Sequence, residues 1–372
     1  MKKIKWNYIV KTVAFISILI LILLVTERTF NYKQTGGGGG WQRFYDTEED
    51  SIDIMFFGSS HAHCTVDLGY LWDEYGMAGY TLSAGSQNIA GTYFFVKEAL
   101  QTQSPKAIVI ECYGALGGSI ENSDTDVYRN TLGMRWGSTL WEYIGYLADN
   151  MAEDRVWAQR VFTKIPIIHS RYAELEQADF QDAIPFMRGY RGSFESAAFE
   201  RPEAENVETV SELHPERLEM LENIVTLAQE YSIPVVLFAS PYILGVEEQM
   251  QYNAIEQWAK QKEIPFINFN HLYDEIGLDF QQDFRDLEHV NNSGAKKVTA
   301  YLGEYLTAQY TMPDRRGDAD YTAWEQNALY LRNKELRYQL NYLKDIEDRS
   351  LRLEEQGNKI EEKQKKKDRG AR

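Results

Sequence analysis

The sequence predicts an α/β protein built on a doubly wound, flavodoxin-like parallel sheet of five strands. Three observations carry that prediction. Five short apolar runs are each bounded by turn residues, as strands buried on both faces are. Segments of helical periodicity separate several of them, as βαβ crossovers require. The chain of 372 residues, 44% apolar and 13% aromatic, is long and apolar enough for one sizeable core.

In chain order, the first feature is an anchor. Lys2, Lys3 and Lys5 precede residues 6–26, WNYIVKTVAFISILILILLVT, which are uncharged and nearly all apolar from Thr12 onward. About twenty such residues suffice for a helix to cross a bilayer. Trp6 and Tyr8 suit the headgroup belt, and Lys11 can snorkel to the interface. No small-residue cleavage site follows; the chain runs straight into Thr26-Glu27-Arg28. The expectation is an uncleaved single-pass anchor in the cell membrane over residues 1–30. The lysines place the N-terminus inside and the body outside. Gly36 to Gly40 then read as part of a flexible linker over residues 31–48.

The strands are expected at residues 52–57, 79–82, 107–112, 234–239 and 265–269. Helices are expected at 91–102, 211–231, 247–262 and 294–310. Leu218, Leu221, Ile224, Leu227 and Ala228 carry the helical spacing of the second. Asn292 and Ser293 are cap candidates for the last. Together these define an α/β domain over residues 49–312. An insertion at about 119–202, rich in Trp136, Trp141, Trp157, Arg188 and Arg191, breaks the alternation. It reads equally as a lid over the active-site edge or as extra packing. Residues 313–372 are a charged helical tail, in which Leu329, Leu336 and Leu343 stand seven apart.

Composition narrows the function. A net charge of −17 repels phosphate backbones, which argues against nucleic acid as a partner. No glycine-rich phosphate loop or dinucleotide fingerprint occurs, and no cofactor is expected. The two cysteines, Cys64 and Cys112, are too few for a disulfide framework and are expected as buried free thiols.

Two constellations can do chemistry. Gly58-Ser59-Ser60-His61 follows the first strand, where a serine hydroxyl is exposed beside a backbone N–H. Asp286-Leu287-Glu288-His289 puts an acid and an imidazole on one turn, so that His289 can act as base and Asp286 can fix its tautomer. A doubly wound sheet brings the two ends to one edge. His61, His63 and Cys64 lack a matching second ligand cluster, so no metal is expected from them. His61 stands where it contacts substrate or packs under the nucleophile.

With Ser60, Asp286 and His289 in that chain order, residues 53–310 resemble the SGNH/GDSL hydrolase superfamily. The resemblance implies a three-layer α/β/α fold with Ser60 as nucleophile and Asp286-His289 as the last block. Gly85, in Ser83-Ala84-Gly85-Ser86-Gln87-Asn88, stands for the oxyanion glycine. Two blocks depart from the pattern. Ser59 replaces the usual Asp before the serine, and Glu111-Cys112-Tyr113-Gly114 replaces the block that supplies an Asn. Asn88 or Gln87 is the candidate substitute donor, and Tyr113 a candidate substrate contact. Gly-Ser-Ser, the later His-Val-Asn-Asn-Ser-Gly-Ala and the anchor are most similar to the membrane-tethered partners of MBOAT acyltransferases. These include the D-alanine transfer protein of teichoic acid synthesis and the alginate O-acetylation proteins. That branch implies acyl transfer on an extracellular polysaccharide with an MBOAT-type membrane partner. A non-catalytic scaffold for such a partner and a stand-alone carbohydrate deacetylase are the alternatives.

Overall fold

The structure is a computed structural model that describes residues 6–30, 37–120, 129–150, 169–175, 177–180 and 187–370. Its centre is a five-stranded, all-parallel sheet of order β2-β1-β3-β4-β5. The strands are β1 (Ile54–Gly58), β2 (Gly79–Ser83), β3 (Ala107–Glu111), β4 (Val235–Ala239) and β5 (Phe266–Asn268). That is the flavodoxin-like doubly wound order.

Side chains alternate between two cores, as the pleat requires. Met55, Phe57, Ile108, Ile110 and Leu237 face one core; Ile54, Phe56, Val109, Val236 and Phe238 face the other. The first core is closed by α2 (Gly37–Tyr45), α5 (Ile89–Ala99), α6 (Ser138–Asp149), α7 (Pro215–Glu230) and α8 (Val246–Gln261). The second is closed by α4 (Leu68–Tyr75) and α9 (Asn292–Gln309). Between β1 and α4 lies the short α3 (Ser60–Thr65). Asp67 caps α4 by accepting from the Gly69 and Tyr70 N–H groups.

Three expectations change. The glycine run does not lead into a loose linker. Gly37 to Gly40 are helical, and α2 buries Trp41 and Phe44 completely against Phe95 and Tyr80. Glycine costs a helix about 1 kcal/mol per residue relative to alanine. Two large aromatic side chains brought into the core offset that. The cap of α9 is Asn291, whose side chain accepts from the Ser293 and Gly294 N–H groups. Asn292 instead accepts from Tyr190 Oη at 2.8 Å. The tail helix α10 (Thr322–Gly370) is not surface alone: Trp324, Ala328 and Leu331 are buried, and Glu325 accepts from Trp72 Nε1.

The insertion lies partly outside the described residues, Trp157 among them. Its described portions pack on the body. In α6, Tyr143 stacks on Phe94 and Tyr146 donates to Glu216. Residues 187–199 then run from the outer edge of β2, where Thr81 N–H donates to Arg188 O at 2.8 Å, to the far end of the sheet. On the way Arg191 N–H donates to the carbonyl of His63 in α3. Ala197 N–H donates to Phe284 O, and Asn292 N–H donates to Ser193 O. This strap therefore ties α3 to the segment before α9.

Helix α1 (Trp6–Phe30) has 25 residues, a mean hydropathy of 2.7 over its most apolar window and no buried residue. Among the described residues it is the one helix long and apolar enough to cross a membrane. Its last carbonyl, Phe30 O, accepts from Arg171 Nη1, and Arg171 pairs with Asp179 at 2.9 Å. A cation there complements the helix dipole.

Candidate active site

In the order 2-1-3-4-5 the chain leaves β1 and β3 toward opposite faces, so a crevice opens between their carboxyl ends. Ser60 stands on one side of it and Glu111 to Gly114 on the other. Gly58 ends β1 at φ +146°, a backbone conformation that side chains disfavour. A Cβ there would lie 2.7 Å from Glu111 Cβ. The crevice therefore needs glycine at this position twice over, for conformation and for room.

Ser59 is fully buried and caps α3 by accepting from His61 N–H, while its hydroxyl donates to Glu111 Oε2 at 3.0 Å. Glu111 Oε1 accepts from Tyr113 N–H at 2.9 Å. Burial pushes the Glu111 carboxyl up to about 7, against the hydrogen bonds from Tyr113 and Ser59 that lower it. Ser59 and Glu111, the two residues that depart from the expected pattern, thus meet beneath the turn that carries Ser60 and hold it to β3.

Ser60 is the first residue of α3, half-buried, and its N–H has no intrahelical acceptor. Its Oγ lies 2.8 Å from His289 Nε2, and His289 Nδ1 lies 2.8 Å from Asp286 Oδ1. The carboxylate can only accept, so Nδ1 carries the proton and Nε2 presents its lone pair to the serine hydroxyl. Asp286 Oδ1 also accepts from the N–H groups of Glu288 and His289, and Oδ2 accepts from Arg285 Nε at 2.9 Å. Burial is the largest influence on Asp286 and raises its pKa. The donors from His289, Glu288 and Arg285 together outweigh it and leave the acid below its ordinary value. Arg285 Nη2 stands 3.3 Å from His289 Nδ1. Both atoms carry protons in this tautomer, so that contact is close approach rather than a hydrogen bond.

The loop bearing the acid and the imidazole is held from several sides. Arg285 N–H donates to His289 O, Asn291 N–H donates to Asp283 O, and Ile243 N–H after β4 donates to Leu287 O. Asp283 is buried and pairs with Lys297 of α9.

The remaining expected residues fall as follows. Gly58 pairs with Ser83 across β1 and β2, so Gly85 and Ser60 each lie two residues past a matched register. Gly85 is half-buried, with Arg129 Nη1 the nearest atom to a Cβ there, at 3.9 Å. Asn88 serves the structure, since its side chain caps α5 by accepting from Gly91 N–H. Gly114 packs so closely on this turn that a Cβ would stand 2.6 Å from Gln87 O. Tyr113 stacks on His61, with ring centroids 4.0 Å apart. His61 is buried, touches Tyr242 edge-on at 5.0 Å and faces His289 at 5.1 Å. Burial, with the neighbouring His289, holds His61 well below its ordinary pKa and keeps it neutral. His63 Nδ1 lies 2.8 Å from Ser83 Oγ. Cys64 and Cys112 are both buried free thiols, and burial pushes Cys64 up to about 11. A cavity of about 650 Å³ between α2 and α10, lined by Arg43, Arg188 and Trp324, is elsewhere on the molecule.

Sequence reasoning does not find Arg285, Glu288 or Tyr242. Arg285 had a signal, a cation next to the acid. Tyr242 had none, since only the sheet order brings β4 beside α3.

No family model matches the chain, and no curated protein does. Among solved structures it is similar to "a putative acylhydrolase" from Bacteroides fragilis. The TM-score is 0.35 and the identity 11%, over 72% of this chain and 93% of that one. A likeness of that degree assigns no chemistry.

Proposed function

We propose that this chain is an extracytoplasmic, serine-dependent acyltransferase or esterase of the SGNH type, acting on a cell-envelope polysaccharide. One observation carries the reading: the unbroken chain Ser60 Oγ, His289 Nε2, His289 Nδ1, Asp286 Oδ1, with 2.8 Å at each contact. Contacts of that length favour an enzyme over a scaffold that merely retains the fold.

In this mechanism Ser60 Oγ attacks the acyl carbonyl as His289 Nε2 takes its proton. Asp286 stabilises the resulting imidazolium and keeps it oriented. The oxyanion is met by the free N–H of Ser60, with Gly85 N–H as second donor. Collapse expels the donor's oxygen, which His289 protonates, and leaves an acyl-Ser60 ester. His289 then deprotonates a sugar hydroxyl or a water, which takes the acyl group and regenerates Ser60.

The membrane setting proposed here is supported by α1, and the lysines before it favour an N-terminus inside and a body outside. An MBOAT-type acyltransferase is the partner that the anchor and motifs suggest. The test is fluorophosphonate labelling of the full chain in detergent. The expected result is one adduct, on Ser60, lost in Ser60→Ala and His289→Ala. Full polymer acylation and esterase activity by Ser60→Ala would sink the proposal.

A further inference from the structure

Outside the proton chain, His61 is, among the described residues, a buried imidazole with both ring nitrogens unpartnered; it is 1% exposed. A buried imidazole without partners loses its hydration and gains nothing in exchange, so it calls for an occupant. Its ring cannot turn away to find one. Tyr113 stacks on one face and Tyr242 closes an edge.

The partners absent near it in sequence come from the other end of the body. Donor atoms of His61, Glu288 and His289 all lie within 4.8 Å of one another. Two imidazoles and one carboxylate, with a fourth position left open, form a donor set suited to Zn²⁺. The supporting contact is also of the kind zinc sites use. A ligating histidine commonly gives its other N–H to a carboxylate, and His289 Nδ1 is already held by Asp286. Glu288 is exposed and offers the way in from solvent. The charge balance is favourable: Glu288 faces the position and Asp286 stands behind the His289 ring, against one cation, Arg285.

We propose that His61, Glu288 and His289 form an inhibitory site for Zn²⁺ or a similar divalent transition ion. Since Nδ1 of His289 is protonated toward Asp286, the ion takes the lone pair on Nε2. That is the lone pair that receives the Ser60 proton. Metal binding and acyl transfer are then mutually exclusive, a consequence that rests on the acyl-transfer reading, whereas the binding itself does not. Free zinc outside the membrane would set the active fraction of the enzyme.

The test uses the full chain in detergent, with Zn²⁺ measured by calorimetry and Co²⁺ by its visible absorption. The expected result is one ion per chain, bound roughly tenfold or more weakly by Glu288→Gln and His61→Gln. Ser60→Ala, which removes the competing hydrogen bond, binds at least as tightly as wild type. Circular dichroism checks that each variant is folded. Saturating Zn²⁺ is expected to stop fluorophosphonate labelling of Ser60, and a chelator to restore it. One-ion binding that depends on Glu288 and His61 supports the site even if Ser60 never labels, an outcome that would overturn only the acyl-transfer reading. Absence of one-ion binding, or binding unchanged in both variants, overturns the site. Labelling that proceeds normally under saturating Zn²⁺ overturns the inhibition.

Discussion

Ser59 Oγ donates to Glu111 Oε2 at 3.0 Å in a fully buried position, joining the turn that carries Ser60 to the end of the neighbouring strand. The carboxyl has no cation beside it among its partners; it is surrounded by donors and by β-sheet.

This sets a pH dependence of stability. Glu111 has a folded pKa of about 7 against an ordinary 4.5. Between those values the folded state holds a proton that the unfolded chain releases. Stability from this group is therefore full below about 4.5 and falls as pH rises through 7. One pKa unit is 1.36 kcal/mol, so the change is at most on the order of 3 kcal/mol. Glu111→Gln is expected to flatten the profile in that window, as read by denaturant melts from pH 4 to 8. An unchanged slope would show that Glu111 does not hold the proton.

Asp286→Asn tests orientation rather than presence. The amide keeps the shape but favours the wrong tautomer of His289. The expected loss in kcat is roughly 10⁴-fold on an activated ester, with an unchanged thermal transition. A loss below tenfold would mean that Asp286 does not fix the imidazole.

Gly58→Ala is expected to cost roughly 2–4 kcal/mol, from the positive φ and the clash with Glu111 together. The double variant with Glu111→Gly, which removes the Cβ that the new methyl would meet, should recover only part of the clash. Equal stability of Gly58→Ala and wild type in urea would contradict the close approach.

Trp41→Ala separates a packed helix from a linker. A fully buried tryptophan is worth about 3–5 kcal/mol on truncation. A tryptophan in a flexible tether would be worth nothing measurable. Chemical denaturation followed by far-ultraviolet dichroism reads the difference.

The parts of this fold that are legible in sequence are those whose signal is local. All five strands appear as apolar runs, because a parallel strand buried on both faces has no polar side to interrupt it. Their ends shift by up to two residues, since register with a neighbour sets the boundary and sequence does not encode the neighbour locally. Ser60, Asp286 and His289 are legible because turn and spacing place them. Glu111 is legible as a hydrogen-bonded carboxylate at a strand end, but its partner Ser59, 52 residues away, is not. The glycine run misleads for a related reason: composition speaks for five glycines, but Trp41 and Phe44 decide what Gly37 to Gly40 become. Helices α3 and α4 carry no long apolar period and depend on Ser59 and Asp67 as caps.

The early start of the packed body fixes a working height. With α1 seated in a bilayer, as proposed, seven Cα steps separate Phe30 from Gly37, and they can span at most about 25 Å. A leash over residues 31–48 would have given the crevice beside Ser60 a much longer range. The shorter one would confine the proposed chemistry to a thin layer above the lipid. A polymer strand would have to be served while still near the membrane where it emerges, before it moves out into the wall.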